Sequence, residues 1–490
     1  MLAAHDVTTV RAAEQALLAS VPPGALMQRA ATGLALAAVR MLRAAPGRVA
    51  GARVVMLVGT GDNGGDALLA GAALAARGVR VDAVALTPDR VHRGGLAALL
   101  RGGGRPVSAA SGDAAALVRA ADLVVDGIVG IGGIGPLRPP AAALVAVAVA
   151  AGVPMLAVDL PSGVDADTGT VDGDHVRATR TVTFGTLKPA HCVDPGAAAC
   201  GEVELVDIGL GPYLPPTGVL ELVTDEDVAA VPAPHGESQK YSRGVLGIRA
   251  GSAGYPGAAV LCTAGALAGP VGMVRFVGPN DVGRSVVERF PEVVPGEGRV
   301  QAWAVGPGLG RDRGSEVAAV LDSGVPVLVD ADGLRFLPQR DGGPRVPDGA
   351  VVLLTPHAGE LARLLGVDRA DVEARRLQHA TAAARRIGAT VLLKGNTTVV
   401  AAPDGRVRVS AAGTPYLATA GAGDVLSGFA GALLAAGLEP LAAGSLGAHL
   451  HGRAARRATG SPARQIVAAE VAAALPAVVA ALPAVVAALR

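Results

Sequence analysis

The chain has 490 residues, a net charge of +1 and only 2 % aromatic side chains. That length accommodates roughly two to three domains, each able to bury its own core. A near-neutral balance without like-charge runs, and so few rings on which bases could stack, argues against nucleic acid and acidic membrane surfaces as partners.

Residues 8–43 read as an amphipathic helix, a Pro22-Pro23-Gly24 break and a second apolar helix through Met27, Leu34 and Val39. A buried strand, Val54–Val58, leads into Gly59-Thr-Gly61-Asp62-Asn63-Gly64-Gly65-Asp66. An Ala-rich helix from Ala67 to Ala76 and a strand from Val79 to Leu86 complete a βαβ unit of a parallel sheet. The turn formally satisfies G-x-G-x-x-G. However, the second strand ends at Leu86-Thr87-Pro88 without a ribose-binding acid, and Asp62 and Asp66 would face a pyrophosphate. Such a turn suits hydroxyls, amides and a hard cation better, which disfavours a dehydrogenase.

Further strands end on polar residues: Leu123–Val125 before Asp126 and the Gly130–Pro136 loop, Met155–Val158 before Asp159 and Ser162, and Thr181–Phe184 before Lys188. The carboxyl edge of an open α/β sheet is where ligands bind, so a site is expected there. A Pro/Gly-rich linker, Gly209–Gly218, separates a first domain, 1–215, from a second, 216–490.

The second half again reads as α/β with loaded strand ends: Gly306-Pro-Gly308, Asp330-Ala-Asp332, Thr355-Pro-His357-Ala-Gly-Glu360 and Lys394-Gly395-Asn396-Thr397-Thr398. Thr419–Gly428 then places a Gly-rich turn at a helix N-terminus, an anion cradle. Asp424 inside it repels a phosphate, and suits a general base beside a phosphoryl group; capping the helix is the alternative. Near the end, Leu475–Ala481 is repeated as Leu482–Ala488, read as a terminal helix packed on the second domain rather than a membrane span.

Cys192, Cys200 and Cys262 lack C-x-x-C spacing, so free thiols are expected, and the start of the chain lacks the pattern of a signal peptide, so a cytoplasmic location is expected. Of 43 basic residues, only Lys188, Lys240 and Lys394 are lysine. A chain that uses Arg almost everywhere keeps Lys where a compact ammonium is required.

Together these segments resemble the bifunctional NAD(P)H-hydrate repair enzymes, over nearly the whole chain and in the family's order. The resemblance implies a Rossmann-like α/β/α NAD(P)HX epimerase domain fused to a ribokinase-like α/β/α ADP-dependent dehydratase domain. Gly59–Asp66 is similar to the family's V-G-x-G-N-N-G-G-D-G, with Asp62 for the first Asn and Ala67 for the final Gly. By resemblance, Asn63, Asp126 and Ser162 would hold K⁺. Contacts to the hydrated nucleotide would come from Asp62, Asn63, Gly64, Gly65 and Asp66, from Gly130, Ile131 (where the family usually has Thr), Gly132, Gly133, Ile134, Gly135 and Pro136, and from Asp159. Asp159 is the candidate acid/base, assisted by Lys188.

In the second domain Lys394, Gly395, Asn396, Thr397 and Thr398 match the nucleotide-binding K-G-x-x-T, and Gly421–Asp424 matches G-T-G-D with Ala422 for Thr. The resemblance puts Gly423 on the nucleotide phosphate and Ala258, Gly308, His357 and Asp424 on the hydrate. The implied function is epimerisation of R and S forms of NADHX and NADPHX, and dehydration of the S form with Mg²⁺ and ADP to give AMP and phosphate. A homo-oligomer is expected. A ribokinase-like vitamin or sugar kinase with a nucleotide-binding module in front is the rival reading.

Overall fold

A computed structural model describes residues 1–340 and 342–488, with side chains through Ala481. It divides into two compact units, one of Ala3–Val219 and one of Leu220–Arg490 with Met1–Leu2.

In the first unit Arg53–Val58 forms β1. Successive side chains of a strand point to opposite faces. Val54, Met56 and Val58 enter one apolar core and Val55 and Leu57 another, so both faces are covered and the run is continuously apolar. Helices α1 (Val7–Leu18), α2 (Ala25–Ala44) and α3 (Asp62–Ala75) contribute to the first core through Leu17, Leu34 and Leu68. On the other face, α4 (Ala141–Ala150) supplies Leu144 and Val145. With β2 (Arg80–Ala85), β3 (Arg105–Ser108), β4 (Leu123–Gly127), β5 (Met155–Val158), β6 (Arg180–Phe184) and β7 (Glu202–Val206), the seven-stranded sheet runs β3-β2-β1-β4-β5-β6-β7, parallel throughout. The order reverses between β1 and β4, where a doubly wound sheet opens a ligand crevice.

One boundary differs from the sequence reading. Helix α3 starts at Asp62, not Ala67, so Asn63, Gly64, Gly65 and Asp66 form its first turn. Propensity reads Gly-Gly as a turn, but here the glycines serve close approach. A Cβ on Gly59 would lie 1.8 Å from the Ile128 carbonyl oxygen, and one on Gly64 would lie 2.4 Å from that of Gly59.

The second unit holds β8 (Leu220–Leu222), β9 (Val245–Arg249), β10 (Met273–Phe276), β11 (Val294–Pro295), β12 (Ala302–Val305), β13 (Val327–Val329), β14 (Val352–Leu354) and β15 (Thr390–Leu393). Strands β16 (Thr398–Ala401) and β17 (Val407–Ser410) follow. From β11 the order is β11-β10-β9-β12-β13-β14-β15, all parallel; β16 and β17 then add antiparallel, and β8 pairs parallel with β17. Lys394–Asn396 therefore lie in a tight link between two antiparallel strands, a hairpin not read from the sequence.

Helices α5 (Pro256–Leu267) and α6 (Ala422–Ala435) pack with almost no side chain between them. A Cβ on Gly265 would fall 2.0 Å from the Val425 carbonyl oxygen, and one on Gly428 1.8 Å from that of Cys262. The last helix, α7 (Ala468–Ala488), buries Val471, Leu475 and Val478 in the same core; the side chains of the second repeat, Leu482–Ala488, lie outside the described residues. Among the described residues no helix is long and apolar enough to cross a membrane. Cys192, Cys200 and Cys262 are all free and buried.

The sole tryptophan, Trp303, is buried in the second unit, so its fluorescence reports that unit's unfolding. Gly428→Ala must separate α5 from α6 and is expected to lower stability by about 1–3 kcal/mol in a urea titration followed at Trp303. Gly283→Ala, inside the helix Asn280–Arg289 with nothing closer than 3.6 Å to the added Cβ, is expected instead to raise it by about 0.5–1 kcal/mol.

Candidate functional site

In the first unit Asp159 follows β5 with φ at 63°, a left-handed conformation rare for a residue with a Cβ. Its Oδ1 accepts hydrogen bonds from Lys188 Nζ at 2.7 Å and Thr183 Oγ1 at 2.9 Å. His191 fixes the backbone: its Nδ1 accepts from Lys188 N at 2.9 Å, so the proton sits on Nε2, which donates to the Asp159 carbonyl at 2.8 Å. Burial alone would raise the Asp159 carboxyl, but the Lys188 ammonium outweighs it and holds the group below the usual carboxylate range. Burial, then Lys188, pushes His191 down to about 4, so it is neutral. The result is an anionic carboxylate with a fixed direction on a strained backbone.

Beside it, Asn63 Nδ2 donates to the Val158 carbonyl at 2.6 Å. Gly130 closes on the same side chain so tightly that a Cβ there would be 2.4 Å from Asn63 Oδ1. Asp126 is fully buried; it accepts from Ser162 N at 2.8 Å, Ser162 Oγ at 2.7 Å and Ile128 N at 3.2 Å. Every one of those donors is neutral, and burial pushes its carboxyl up to about 6. The sheet edge thus brings together Asn63, Asp126, Gly130, Ser162, Asp159 and Lys188.

Two cavities open around this edge. One, about 760 Å³, is lined by Asp62, Asp66 and Glu14 of α1. The other, about 400 Å³, is lined by Gly132, Gly133, Ile134, Gly135 and Pro136, with Ile134 exposed. Ile131 turns the other way and packs against the small apolar cluster of Leu160 and Val164.

The second unit's site is organised by Asp330, at the end of β13. Its Oδ1 accepts from Lys394 Nζ at 2.7 Å and its Oδ2 from Ser427 Oγ at 2.6 Å. Glu360 Oε2 lies 3.8 Å from the same ammonium. Helix α6 is entered through Gly421 at φ 85°, with no side-chain cap. Asp424 therefore does not cap the helix; it stands in the first turn, partly buried, one residue beyond Gly423. Burial, then the Asp330 charge, pushes the Asp424 carboxyl up to about 7 against the pull of Lys394. His357 caps the helix Ala358–Leu365, its Nδ1 accepting from Gly359 N at 3.0 Å and Glu360 N at 3.3 Å. Its Nε2 is thus a donor when the ring is neutral, the state that burial favours.

A cavity of about 570 Å³ is lined by His357, Lys394, Gly395, Asn396, Thr398 and Gly423. Arg376 shapes the loop by donating to the carbonyls of Lys394 at 2.9 Å and Thr397 at 3.3 Å. Thr397 itself is buried behind the loop. Ala258 and Gly308 touch each other instead: a Cβ on Gly308 would lie 2.7 Å from that of Ala258.

Sequence reasoning left Thr183, His191, Glu14, Ser427 and Arg376 without roles. Asp330 was visible as a strand-end acid without an assigned partner. The lysine signal separates well: Lys188 and Lys394 sit in the two sites, whereas Lys240 is exposed, its ammonium 5.3 Å from the Tyr241 ring centre.

A model of the YjeF-related protein N-terminus family matches residues 23–190, and one described as NAD(P)H-hydrate dehydratase matches 246–477. The chain is 50 % identical over 444 residues to the bifunctional NAD(P)H-hydrate repair enzyme Nnr of Mycobacterium tuberculosis, covering 89 % of each chain. It is 48 % identical over 470 residues to the Mycobacterium leprae enzyme of the same name, covering 94 % of each. Among solved structures it is similar to the ADP/ATP-dependent NAD(P)H-hydrate dehydratase of Bacillus subtilis, co-crystallised with ATP/Mg²⁺. That likeness has a TM-score of 0.50 and 30 % identity, over 54 % of this chain and 99 % of the other. A stand-alone kinase would leave the first match unexplained. With both halves matched in order, the chain belongs to the family of bifunctional NAD(P)H-hydrate repair enzymes.

Proposed function

We propose that this protein restores NADH and NADPH from their hydrates, with epimerisation in residues 1–215 and ADP-driven dehydration in 216–490. The observation that carries the dehydratase half is a carboxyl of raised proton affinity, Asp424, beside the Lys394 ammonium and next to a residue of the 570 Å³ cavity. Asp424 takes the proton of the hydrate's hydroxyl, and the oxygen attacks the terminal phosphorus of ADP while the bond to AMP breaks. The ring nitrogen's lone pair then expels phosphate, and loss of a proton from the neighbouring carbon restores the double bond. Lys394 and the Gly423 turn stabilise the charge that develops on the transferring phosphoryl group. Gly395, Asn396 and Thr398 bind the nucleotide, with Thr397 supporting their loop from behind; Ala258, Gly308 and the Nε2–H of His357 orient the hydrate.

Mg²⁺ would supply further charge neutralisation when bound with the nucleotide. Among the described residues no cluster of three or more His, Cys, Asp or Glu could hold it, which fits a cation carried largely by phosphates. In the first unit, K⁺ fits Asn63, Asp126 and Ser162. The donors are oxygens, and the buried Asp126 carboxylate has only neutral hydrogen-bond partners, so a cation would supply its missing counter-charge. There Asp159 acts as the base at the hydrated carbon, its charge held by Lys188, while the 62–66 and 130–136 segments contact the nucleotide. The cytoplasm, where NADH and NADPH are used, is the proposed location, and ADP rather than ATP the proposed co-substrate.

Asp424→Asn is expected to slow ADP-dependent recovery of reduced-nicotinamide absorbance from S-NADPHX by at least ~10³-fold, with ADP binding by calorimetry retained. Near-normal recovery would remove Asp424 as the base. In the first unit, Asp159→Asn is expected to abolish R-to-S conversion, followed by chiral separation of the hydrates, and equilibration at the native rate would refute the role.

A further inference from the structure

Asp66 belongs to a segment that contacts the nucleotide and has no part so far in proton transfer, yet its surroundings are unusual. It lies in the first turn of α3, is only 6 % exposed, and its Oδ1 is buried without a hydrogen-bond partner. An unsatisfied buried carboxyl is costly, and in a native protein it calls for an occupant or a proton. Asp66 forms part of the wall of the 760 Å³ cavity. The groups facing it are Asp62 on its own helix, Glu14 from α1 and Asp159 from the end of β5, with His92 and Arg101 elsewhere on the cavity wall. Its charged neighbours are thus mostly carboxylates, whereas Asp159 has Lys188 in contact.

We propose that Asp66 is a second catalytic residue of epimerisation, a neutral carboxylic acid that gives a proton to the substrate while the Asp159 carboxylate takes one. This deepens the epimerase reading and rests on it. The hydrated ring is a cyclic hemiaminal, so it can invert by opening and closing. Asp159 removes the hydroxyl proton, the freed oxygen electrons form the carbonyl, and the carbon–nitrogen bond breaks with its electrons going to the ring nitrogen. That nitrogen takes the Asp66 proton. Rotation about the adjoining carbon–carbon bond presents the other face of the aldehyde; closure then runs the two proton transfers backwards and restores both carboxyl groups. No oxidant or outside acid is consumed. Burial, then the charges of Asp159, Asp62 and Glu14, pushes the Asp66 carboxyl well above its ordinary range, as a proton donor at neutral pH requires.

The test is the pH dependence of R-to-S conversion with purified R-NADPHX, for the full chain and for Asp66→Asn. The wild-type rate is expected to fall at high pH as the donor loses its proton. Asp66→Asn, which keeps shape and hydrogen-bonding capacity, is expected to lose at least ~10²-fold and to lose that alkaline limb. A native rate in Asp66→Asn, or an alkaline limb that survives the substitution, would overturn the proposal. Circular dichroism of the variant distinguishes lost chemistry from lost fold, and Asp66→Ser provides a second, smaller side chain should the amide fail to pack; a native rate in it would overturn the proposal equally. A wild-type chain that does not interconvert the hydrates at all would instead remove the epimerase reading beneath it.

Discussion

The second site depends on one buried carboxylate. Asp330 bonds Lys394 on one oxygen and Ser427 on the other, and so ties the link after β15 to the first turns of α6. Ser427 Oγ also donates to the Gly423 carbonyl at 3.0 Å, which fixes the glycine turn at the start of α6 to the same anchor. Buried ion pairs add little net stability, because desolvation offsets their attraction, but removal of one partner costs about 3–5 kcal/mol. Such a pair is better understood as a device for position. It sets an ammonium on the wall of the 570 Å³ cavity and leaves its negative charge close to Asp424. Burial and that charge together bring the Asp424 proton affinity to about 7, where a base can both take and release a proton.

The first site uses the same principle with the opposite outcome. Lys188 is nearly inaccessible and bonds Asp159 directly, so the ammonium overrides burial and keeps the carboxylate ionised. Thr183 and the neutral His191 hold the geometry, one through the side chain and one through the backbone. A lysine bonded directly to Asp159 holds that carboxyl below its ordinary range, whereas the pull of Lys394, which is bonded to Asp330 instead, leaves Asp424 raised to about 7.

Much of this was legible in the sequence. Continuous apolar runs gave the parallel strands, because a strand buried on both faces needs no polar alternation. Polar residues repeatedly following those runs marked the sheet edges, and scarce lysine marked Lys188 and Lys394. Other features depend on contacts that no local pattern encodes. The start of α3 at Asp62 follows from Gly59 and Gly64 meeting neighbouring backbone, a tertiary fact that overrides glycine's turn preference. The antiparallel pair β16 and β17 did carry a local signal, Pro403-Asp404-Gly405 between two apolar runs, which the sequence reading passed over. Thr183, His191 and Ser427 are ordinary in sequence and gain their roles through Asp159 and Asp330, which no local pattern links to them.

The most direct test of the account is the pH dependence of single-turnover dehydration of S-NADPHX with ADP, measured for the wild type and for Asp330→Asn. The wild-type rate is expected to fall as the solution is acidified through about 7, because Asp424 must be deprotonated to act. In the variant the acid limb is expected at lower pH, because removing the Asp330 charge favours ionised Asp424. A rate that is flat through the neutral range, or a limb that stays in place when Asp330 is neutralised, would contradict it.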